Sequence, residues 1–180
     1  MAQLDTGTDS KKIIRARIEI SGIIQGVGFR PFIYRLAKTQ GLTGHIANTA
    51  AGVTIEIDGT ALEIESFAKD ITCEKPPLAS IEELHVARQE IGPDDIHRSF
   101  QIVESIPAGK KIGPITPDSD VCDNCLAELF DPDDRRYLYP FINCTDCGPR
   151  YTLIEKTPYD RPLTAMKHFE LCGRCEAEFS

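Results

Sequence analysis

The residues best suited to chemistry near the start of the chain are an arginine and the glycines before it. The stretch from Gly22 to Pro31 reads Gly-Ile-Ile-Gln-Gly-Val-Gly-Phe-Arg-Pro. Gly26 and Gly28 have no Cβ, so the backbone there can adopt positive φ and approach a bound group closely. Successive N–H groups in such a turn can point into one concavity beside the positive end of a helix dipole. Arg30 adds a permanent charge whose fork fits two phosphate oxygens. The pattern predicts a phosphate cradle.

Glycine spacing of this kind is weak evidence by itself, because a tight strand-to-helix turn needs the same residues. The stretch lacks the Lys-Ser/Thr end of a P-loop and the three-glycine spacing of a dinucleotide-binding fingerprint. The sequence therefore indicates neither of those nucleotide sites.

Cysteines form the second set of residues with a chemical pattern. Six of the seven fall in three CxxC pairs, which are Cys122/Cys125, Cys144/Cys147 and Cys172/Cys175. Two such turns supply four thiolates, which complete a tetrahedral structural zinc site and leave no position for a substrate. An iron–sulfur cluster would also need four thiolates, and a thioredoxin-like redox pair would need a βαβ context. The spacing of the first two pairs favours zinc.

The third pair, Cys172 and Cys175, is half a site, because the first two pairs complete each other. His168 could add a ligand, although a helix-face histidine is the simpler interpretation. We expect this pair to be metal-free in a monomer and the C-terminal residues to be poorly ordered, unless a dimer shares one zinc between two such pairs. Cys73 stands alone and is interpreted as a small buried hydrophobic residue.

Periodicity predicts the elements that position the glycine loop. Before the loop, Ala16, Ile18 and Ile20 alternate with polar residues, as in a half-buried strand. After it, apolar residues at helical spacing predict a helix from Pro31 to Gln40, with Pro31 at its first position and Gly41 just past its end.

The rest of the first hundred residues continues the alternation of strands and helices. The predicted elements are a hairpin of strands 43–48 and 53–58, a helix over 62–72, and strands around 81–88 and 100–103. Strand, helix, strand, strand, helix, strand gives two split βαβ units. We therefore expect an α+β, ferredoxin-like fold: an antiparallel sheet with both helices on one face. His45, His85 and His97 are interpreted as surface or strand-face residues without partners.

Composition suggests how the chain is divided. The expected parts are a disordered polar tail (1–12), the ferredoxin-like domain (13–104), a Pro- and Gly-punctuated linker (105–121) and a zinc-finger region (122–180), whose first finger is 122–150 and whose second is incomplete. The net charge of −8 argues against broad nucleic-acid binding. No apolar run is long enough to span a membrane and no signal-peptide core precedes residue 13, so a cytoplasmic location is expected.

Gly22 to Arg30, followed by Gly41-Leu42, Gly44, Asn48 and Gly52, resembles the acylphosphatase signature. The resemblance implies that Arg30 neutralises a bound phosphoryl group and that Asn48 orients the attacking water, without a metal or a covalent intermediate. The phosphate-binding loop it implies comprises Gln25, Gly26, Val27, Gly28, Phe29 and Arg30. Positioning and charge stabilisation can suffice for a mixed anhydride, whose leaving group is good. Many acylphosphatases carry Asp where this chain has Ala51.

A second resemblance surrounds the cysteines. It is to the zinc-finger region of HypF-type carbamoyltransferases, maturation factors of NiFe hydrogenases that also begin with an acylphosphatase-like domain. The matching runs are Pro117-Asp118, Cys122 to Pro132, Arg135 to Tyr137, Pro140 to Cys144, Cys147 to Arg150 and Pro158 to Pro162. Family members continue with a second cysteine set, an adenylating domain and a carbamoyl-transfer domain, so the chain looks like the front end of a larger enzyme.

The resemblances imply hydrolysis of acyl phosphates, carbamoyl phosphate above all, by Arg30 and Asn48, within a carbamoyltransferase that helps make the cyanide ligands of NiFe hydrogenase. They imply a structural zinc, an acyl-phosphate substrate and a hydrogenase-maturation acceptor protein as partners, and no nucleic acid or membrane. The alternative is a non-catalytic anion-binding or docking module with a structural zinc connector. The Arg30/Asn48 pair favours hydrolysis, since docking would not need Asn48.

Overall fold

The structure, a computed structural model, describes residues 12–106, 121–140, 142, 144, 151–156 and 158–179. The expected disordered tail and most of the expected linker therefore lie outside the described residues. The helices and strands are β1 Ile14–Ile23, α1 Phe29–Thr39, β2 Thr43–Asn48, β3 Gly52–Gly59, α2 Ala61–Cys73, β4 Ser80–Glu90, β5 Phe100–Ile102, α3 Asp123–Phe130 and α4 Gly173–Phe179.

The five strands form one sheet in the order β4-β1-β3-β2-β5. β1 pairs antiparallel with β3 and β4, and β2 pairs antiparallel with β3. The sheet is mixed rather than wholly antiparallel, because β5 runs parallel to β2 at one edge. The reason is the direction of the chain: β4 runs opposite to β1 and β2, so a single reversal after β4 sends β5 along β2. The ferredoxin-like arrangement is otherwise as expected.

Both helices pack on one face of the sheet, as expected. Along β1, Ala16, Ile18 and Ile20 are buried, whereas Arg17 and Glu19 between them are exposed. The buried residues of α1 and α2 join those of β1, β2 and β3 in one hydrophobic cluster. The apolar stripes of the two helices and the inward residues of the strands thus make a single core that fixes the loop between β1 and α1.

Helix α1 begins two residues earlier than expected. Its N-cap is Gly28, with a left-handed φ of 72°, so Phe29 is the first helical residue and Pro31 the third. Pro31 is tolerated there because N–H groups in the first turn have no intrahelical acceptor. Gly41 follows the helix with a φ of 69°, which confirms its predicted place just past the end.

Helix α2 is fixed at its start by a capping box. The Thr60 hydroxyl accepts a hydrogen bond from the backbone N–H of Glu63, and the Glu63 carboxylate accepts one from the backbone N–H of Thr60. Cys73 ends this helix and is exposed, so its interpretation as a buried residue is wrong. The apolar stripe of α2 is formed by other residues, Ile64, Phe67 and Ile71.

The described part of the finger region is built from short elements with a small core. Besides α3 and α4 it contains 3₁₀ turns at Tyr151–Leu153, Arg161–Leu163 and Ala165–His168. Cys125 and Ile142 are its buried hydrophobic residues within the described ranges. The expected disorder at the C-terminal end is wrong, because α4 forms there. Among the described residues, no helix is both long and apolar enough to cross a membrane.

Candidate active site and metal centre

The loop between β1 and α1 presents its backbone and hides its apolar side chains. Gly26 and Gly28 both have positive φ, 75° and 72°, which confirms the prediction from their positions. Val27 and Phe29 have exposures of 0% and 1%, so their side chains anchor the loop in the core. None of the hydrogen bonds between described residues uses the backbone N–H of Gly26, Val27 or Gly28. Backbone N–H groups arranged in this way can bind an anion.

Gln25 ties this loop to the turn between β2 and β3. Its side-chain amide nitrogen donates to the carbonyl oxygens of Thr49 and Gly52, both at 2.7 Å. The turn itself closes without an Asp at position 51, since the N–H of Thr49 donates to Gly52 O at 2.8 Å. A Cβ on Gly52 would lie 2.0 Å from the carbonyl oxygen of Ile20, so glycine is required there. The departure at Ala51 leaves the turn intact.

Asn48 is the last residue of β2, and its side chain faces the same loop. The residue is only 1% exposed. Its Nδ2 donates to the carbonyl oxygen of Tyr159 at 2.7 Å, whereas its Oδ1 has no hydrogen-bond partner among the described residues. A buried polar oxygen without a partner costs about 1–3 kcal/mol. The amide oxygen is therefore suited to accept a hydrogen bond from a water molecule.

Arg30, in the first turn of α1, converges with Asn48 on one atom. Its Nη2 donates to the Tyr159 carbonyl oxygen at 3.1 Å, and its Nη1 forms an ion pair with Asp160 Oδ1 at 2.8 Å. The guanidinium is largely buried, with 17% of the side chain exposed. The two residues assigned to catalysis from sequence thus lie at one site, which holds a carbonyl oxygen and a carboxylate of the same chain.

The contacting segment, residues 158–160, is called the finger strap here. Besides the contacts of Tyr159 and Asp160 with Arg30 and Asn48, the N–H of Tyr159 donates to Gln25 Oε1 at 2.8 Å. The Ser105 hydroxyl donates to the second carboxylate oxygen of Asp160. Burial raises the pKa of Tyr159 despite the nearby Arg30 charge. No spacing along the chain predicts this contact, because more than a hundred residues separate Arg30 and Asn48 from their partners in the strap.

Three thiols of the predicted zinc site lie together. The sulfur atoms of Cys122, Cys125 and Cys144 are within 4.8 Å of one another, and those of Cys122 and Cys144 are 3.4 Å apart. Zinc–sulfur bonds of about 2.3 Å in a tetrahedron place sulfurs about 3.8 Å apart, so the cluster fits a metal ion. Cys147, the expected fourth ligand, lies outside the described residues. The arrangement supports metal binding by this part of the chain.

The third CxxC pair has the same local geometry as the first. Cys122 is the N-cap of α3 and Cys172 directly precedes α4; their carbonyl oxygens accept from the N–H groups of Leu126 and Glu176 at 3.0 and 2.9 Å. Hydrogen bonds from the backbone and side chain of Cys175 lower the pKa of the exposed Cys172 thiol. His168, the possible extra ligand, is exposed and ends a 3₁₀ turn.

Two of the three histidines interpreted as lacking partners, His45 and His97, contact each other. The rings of His45 and His97 lie edge to face, with their centroids 5.5 Å apart. Burial lowers the pKa of His45, although Glu56 opposes the shift. Burial also opposes ionisation of Asp58, but hydrogen bonds from Arg15 and His97 outweigh it and lower the pKa of that carboxyl. These residues lie on the sheet face opposite the helices, away from the core.

Comparison with known families and structures identifies similarity in both parts of the chain. The acylphosphatase model matches residues 16–102, and the HypF finger model matches residues 121–154. The chain is 37% identical to an acylphosphatase of Caldivirga maquilingensis over 79 residues, which are 43% of this chain and 82% of that protein. It is 45% identical to carbamoyltransferase HypF2 of Cupriavidus necator over 164 residues, 89% of this chain and 20% of that protein.

A solved structure shares both parts in one fold. It is a full-length HypF in its phosphate- and nucleotide-bound form, with a TM-score of 0.87, 44% identity, and coverage of 94% of this chain and 22% of that one. The chain thus spans about a fifth of the length of the carbamoyltransferases it matches. The similarity covers the glycine loop, the hairpin and the first two CxxC pairs.

Proposed function

Because the chain belongs to the acylphosphatase family and joins that domain to a HypF finger, as in HypF carbamoyltransferases, we propose that it hydrolyses acyl phosphates, carbamoyl phosphate above all. Both groups of relatives are enzymes, hydrolases or transferases by name. The substrate and the reaction of this particular chain are the proposal.

The observation that carries the proposal is the convergence of Arg30 and Asn48 on one oxygen atom. That atom, the Tyr159 carbonyl oxygen, lies 3.1 Å from Arg30 Nη2 and 2.7 Å from Asn48 Nδ2. A phosphoryl oxygen at the same point would accept from both donors. The second Arg30 nitrogen, now paired with Asp160, would contact another phosphoryl oxygen, as the planar fork of arginine allows.

The unpaired Asn48 Oδ1 supplies the second requirement, a held water. The Asn48 amide oxygen would accept a hydrogen bond from the water, and a lone pair of the water oxygen would then be directed at phosphorus. Attack forms a new phosphorus–oxygen bond, the bond from phosphorus to the acyl oxygen breaks, and its electron pair leaves with the carbamate or carboxylate. Arg30 and the backbone N–H groups of the loop would stabilise the charge on the equatorial oxygens.

The finger strap must leave for this reaction to occur. The Asp160 carboxylate and the Tyr159 carbonyl oxygen lie where phosphoryl oxygens would lie, so substrate and strap compete for the same donors. The exchange replaces one anion by another on Arg30. Its net cost is therefore small compared with that of exposing an unpaired buried charge.

Within the longer HypF proteins, we propose that this reaction belongs to a carbamoyl transfer that helps make the cyanide ligands of NiFe hydrogenase. A hydrogenase-maturation protein would be the acceptor. Zinc would be held by Cys122, Cys125, Cys144 and Cys147 and would act structurally, since four thiolates fill its coordination. A cytoplasmic location would keep these thiols reduced.

A second function, docking, is favoured by the same strap. Three residues of the first domain, Arg30, Asn48 and Gln25, hydrogen-bond to Tyr159 or Asp160. A non-catalytic module would use these bonds to hold the finger region and would release no phosphate. Docking does not account for the unpaired Oδ1 of Asn48, which is why hydrolysis is the preferred function.

A phosphate-release assay separates the two functions. The purified chain is incubated with carbamoyl phosphate, with acetyl phosphate and with a phosphate monoester, and the spontaneous decay of each substrate is subtracted. Hydrolysis predicts release from both acyl phosphates and not from the monoester, whose leaving group is poor. Docking predicts no release above the spontaneous rate from any of the three.

Limited proteolysis measures the strap in the same samples. If docking is the function, Arg30→Ala should make the finger region more sensitive to protease, whereas Arg17→Ala should not. Arg17 is a matched control because it is exposed and paired with Glu19 on the opposite face of the sheet. Phosphate release together with an unchanged digestion pattern would leave hydrolysis as the function of the site.

A further inference from the structure

The sheet face opposite the helices carries a group of metal-binding side chains set by strand register. His45 in β2 and Glu56 in β3 are directly cross-strand partners, and Asp58 lies two residues further on the same face. Their neighbours on the other face, Ile46 and Ile57, belong to the core. Register therefore fixes an imidazole beside a carboxylate on a face that the helices do not cover.

His97, from the segment before β5, is held against these strands by Asp58. Its backbone N–H donates to Asp58 Oδ2 at 2.8 Å, and its Nδ1 lies 2.7 Å from the same oxygen. When the proton is on Nδ1 and is donated to Asp58, the neutral ring keeps its lone pair on Nε2; Arg15 Nη2 also lies 3.0 Å from this Nδ1. A carboxylate that orients a histidine in this way is the usual second partner of a metal-bound imidazole.

Glu56 has an unpaired carboxylate in this group. Its cross-strand neighbour in β1, Arg17, pairs with Glu19 instead, and no hydrogen bond or ion pair to Glu56 occurs among the described residues. Arg15, on the same face, donates to Asp58 through two hydrogen bonds of 2.7 and 3.0 Å, and its Nη2 also contacts the Asp95 carbonyl oxygen and His97 Nδ1. A half-buried carboxylate beside two imidazoles, with no hydrogen bond or ion pair to any described residue, is suited to a cation.

We propose that His45, Glu56 and His97 bind a divalent first-row transition metal ion, with zinc as the best match. Their ligand atoms lie within 4.8 Å of one another. Two imidazoles and one carboxylate are a donor set of zinc and of related ions, and three protein ligands leave a position open. His45 and His97 also line a surface pocket of about 230 Å³ that could admit a further ligand. The site is independent of the Arg30 loop and of the thiol cluster.

Zinc binding to the complete chain tests this site. The chain is first saturated with zinc, dialysed so that the thiols keep theirs, and then titrated with Zn²⁺ by calorimetry. We expect one further equivalent to bind and the imidazole NMR signals of His45 and His97 to shift. His97→Gln and Glu56→Gln should each weaken this binding at least tenfold, as should Asp58→Asn through the orientation of His97, for which about 10–100-fold is typical.

His85→Gln is the matched control, since His85 lies in β4 outside this group and should bind the further zinc as the wild type does. Far-UV circular dichroism establishes that each variant is folded. If His97→Gln does not fold, Glu56→Gln still tests the site, because it changes only one atom of a half-buried carboxylate. Absence of a further bound zinc would overturn the proposal. Binding that is unchanged in a folded Glu56→Gln or His97→Gln chain would do so as well, because it would place the zinc elsewhere.

Discussion

Residues 12–106 and the finger region are stabilised in different ways. In the first, twenty buried hydrophobic residues from the strands, both helices and the loops between them form one core. In the second, Cys125 and Ile142 are the buried hydrophobic residues within the described ranges, and the partly buried side chains packed against them include Cys122 and Cys144. Burial of apolar surface can hold the first region together, whereas the second centres on its thiols.

This difference explains where each region places its chemistry. A closed core lets the first region hold Asn48 almost completely buried, with no partner for its Oδ1 among the described residues, which is a cost that a well-packed sheet can bear. The finger region instead contributes a strap whose Tyr159 and Asp160 reach that site. The first region supplies the residues of the site, and the finger region supplies the groups that contact them.

Removal of zinc should have the largest effect and should act on one region. Structural zinc sites contribute about 10–16 kcal/mol of apparent binding free energy, which is folding free energy for so small a module. A strong chelator should therefore unfold residues beyond about 118 and leave residues 12–106 folded, as followed by amide NMR signals. Cys125→Ser should act like the chelator, whereas Cys73→Ser, at an exposed cysteine, should not. Loss of both regions in one transition would show that they are not separate folding units.

Truncation of a buried side chain in the core should instead destabilise the first region. Phe67 in α2 is fully buried, so Phe67→Ala should lower the free energy of unfolding of the first region by about 3–5 kcal/mol. Leu62→Ala is the control on the same helix, because Leu62 is 67% exposed and should lose far less. Urea unfolding of the zinc-loaded chain measures both. Equal losses from the two variants would mean that α2 does not pack as described.

Much of the first region could be predicted because its signals are local. The alternation of apolar and polar residues predicts β1 and β3, and the helical spacing of Ile64, Phe67 and Ile71 predicts α2. The glycines predict the loop after β1 and the end of α1. The start of α1 was two residues off, because a left-handed Gly28 can cap the helix and Pro31 is tolerated inside the first turn. The parallel β5 followed from chain direction at a sheet edge, which no local pattern specifies.

The site was predicted in part for the same reason. The positions of Arg30 and Asn48 carried a recognisable pattern, and the structure brings them together. The strap of Tyr159 and Asp160, and the meeting of His45 with His97, depend on contacts between distant segments. A single histidine, tyrosine or aspartate has no spacing in the sequence that shows whether it contacts another residue or lies free at the surface.

Loss of the Asn48 side-chain amide should lower turnover more than binding. If its Oδ1 holds the attacking water, Asn48→Ala should reduce kcat by about 10²–10³-fold, as for other positioned hydrogen-bonding groups. The affinity for inorganic phosphate, measured by calorimetry, should change little. Thr54→Ala is a useful control, since Thr54 is also buried and has an unpaired oxygen but lies in β3 on the opposite face. A variant that loses phosphate binding but keeps turnover at saturation would assign Asn48 to binding.

Weakening the strap should have the smallest effect and the opposite sign. Asp160→Asn removes the carboxylate that competes for Arg30, an interaction worth about 1 kcal/mol for a partly exposed pair. KM for acyl phosphates should fall by roughly fivefold with kcat nearly unchanged. Asp133→Asn, at an exposed carboxylate outside the strap, is the control. An increase in KM would mean that Asp160 assists substrate binding.

The central claim is that Arg30 stabilises the phosphoryl group during hydrolysis, and the rate of phosphate release from carbamoyl phosphate tests it most directly. Arg30→Ala should remove about 3 kcal/mol of transition-state stabilisation, which lowers kcat/KM on the order of 10²-fold. Arg30→Lys should restore kcat/KM only in part, because lysine cannot make the two-point contact. Arg17→Ala should match the wild type. If Arg30→Ala releases phosphate at the wild-type rate, the account of this site is wrong.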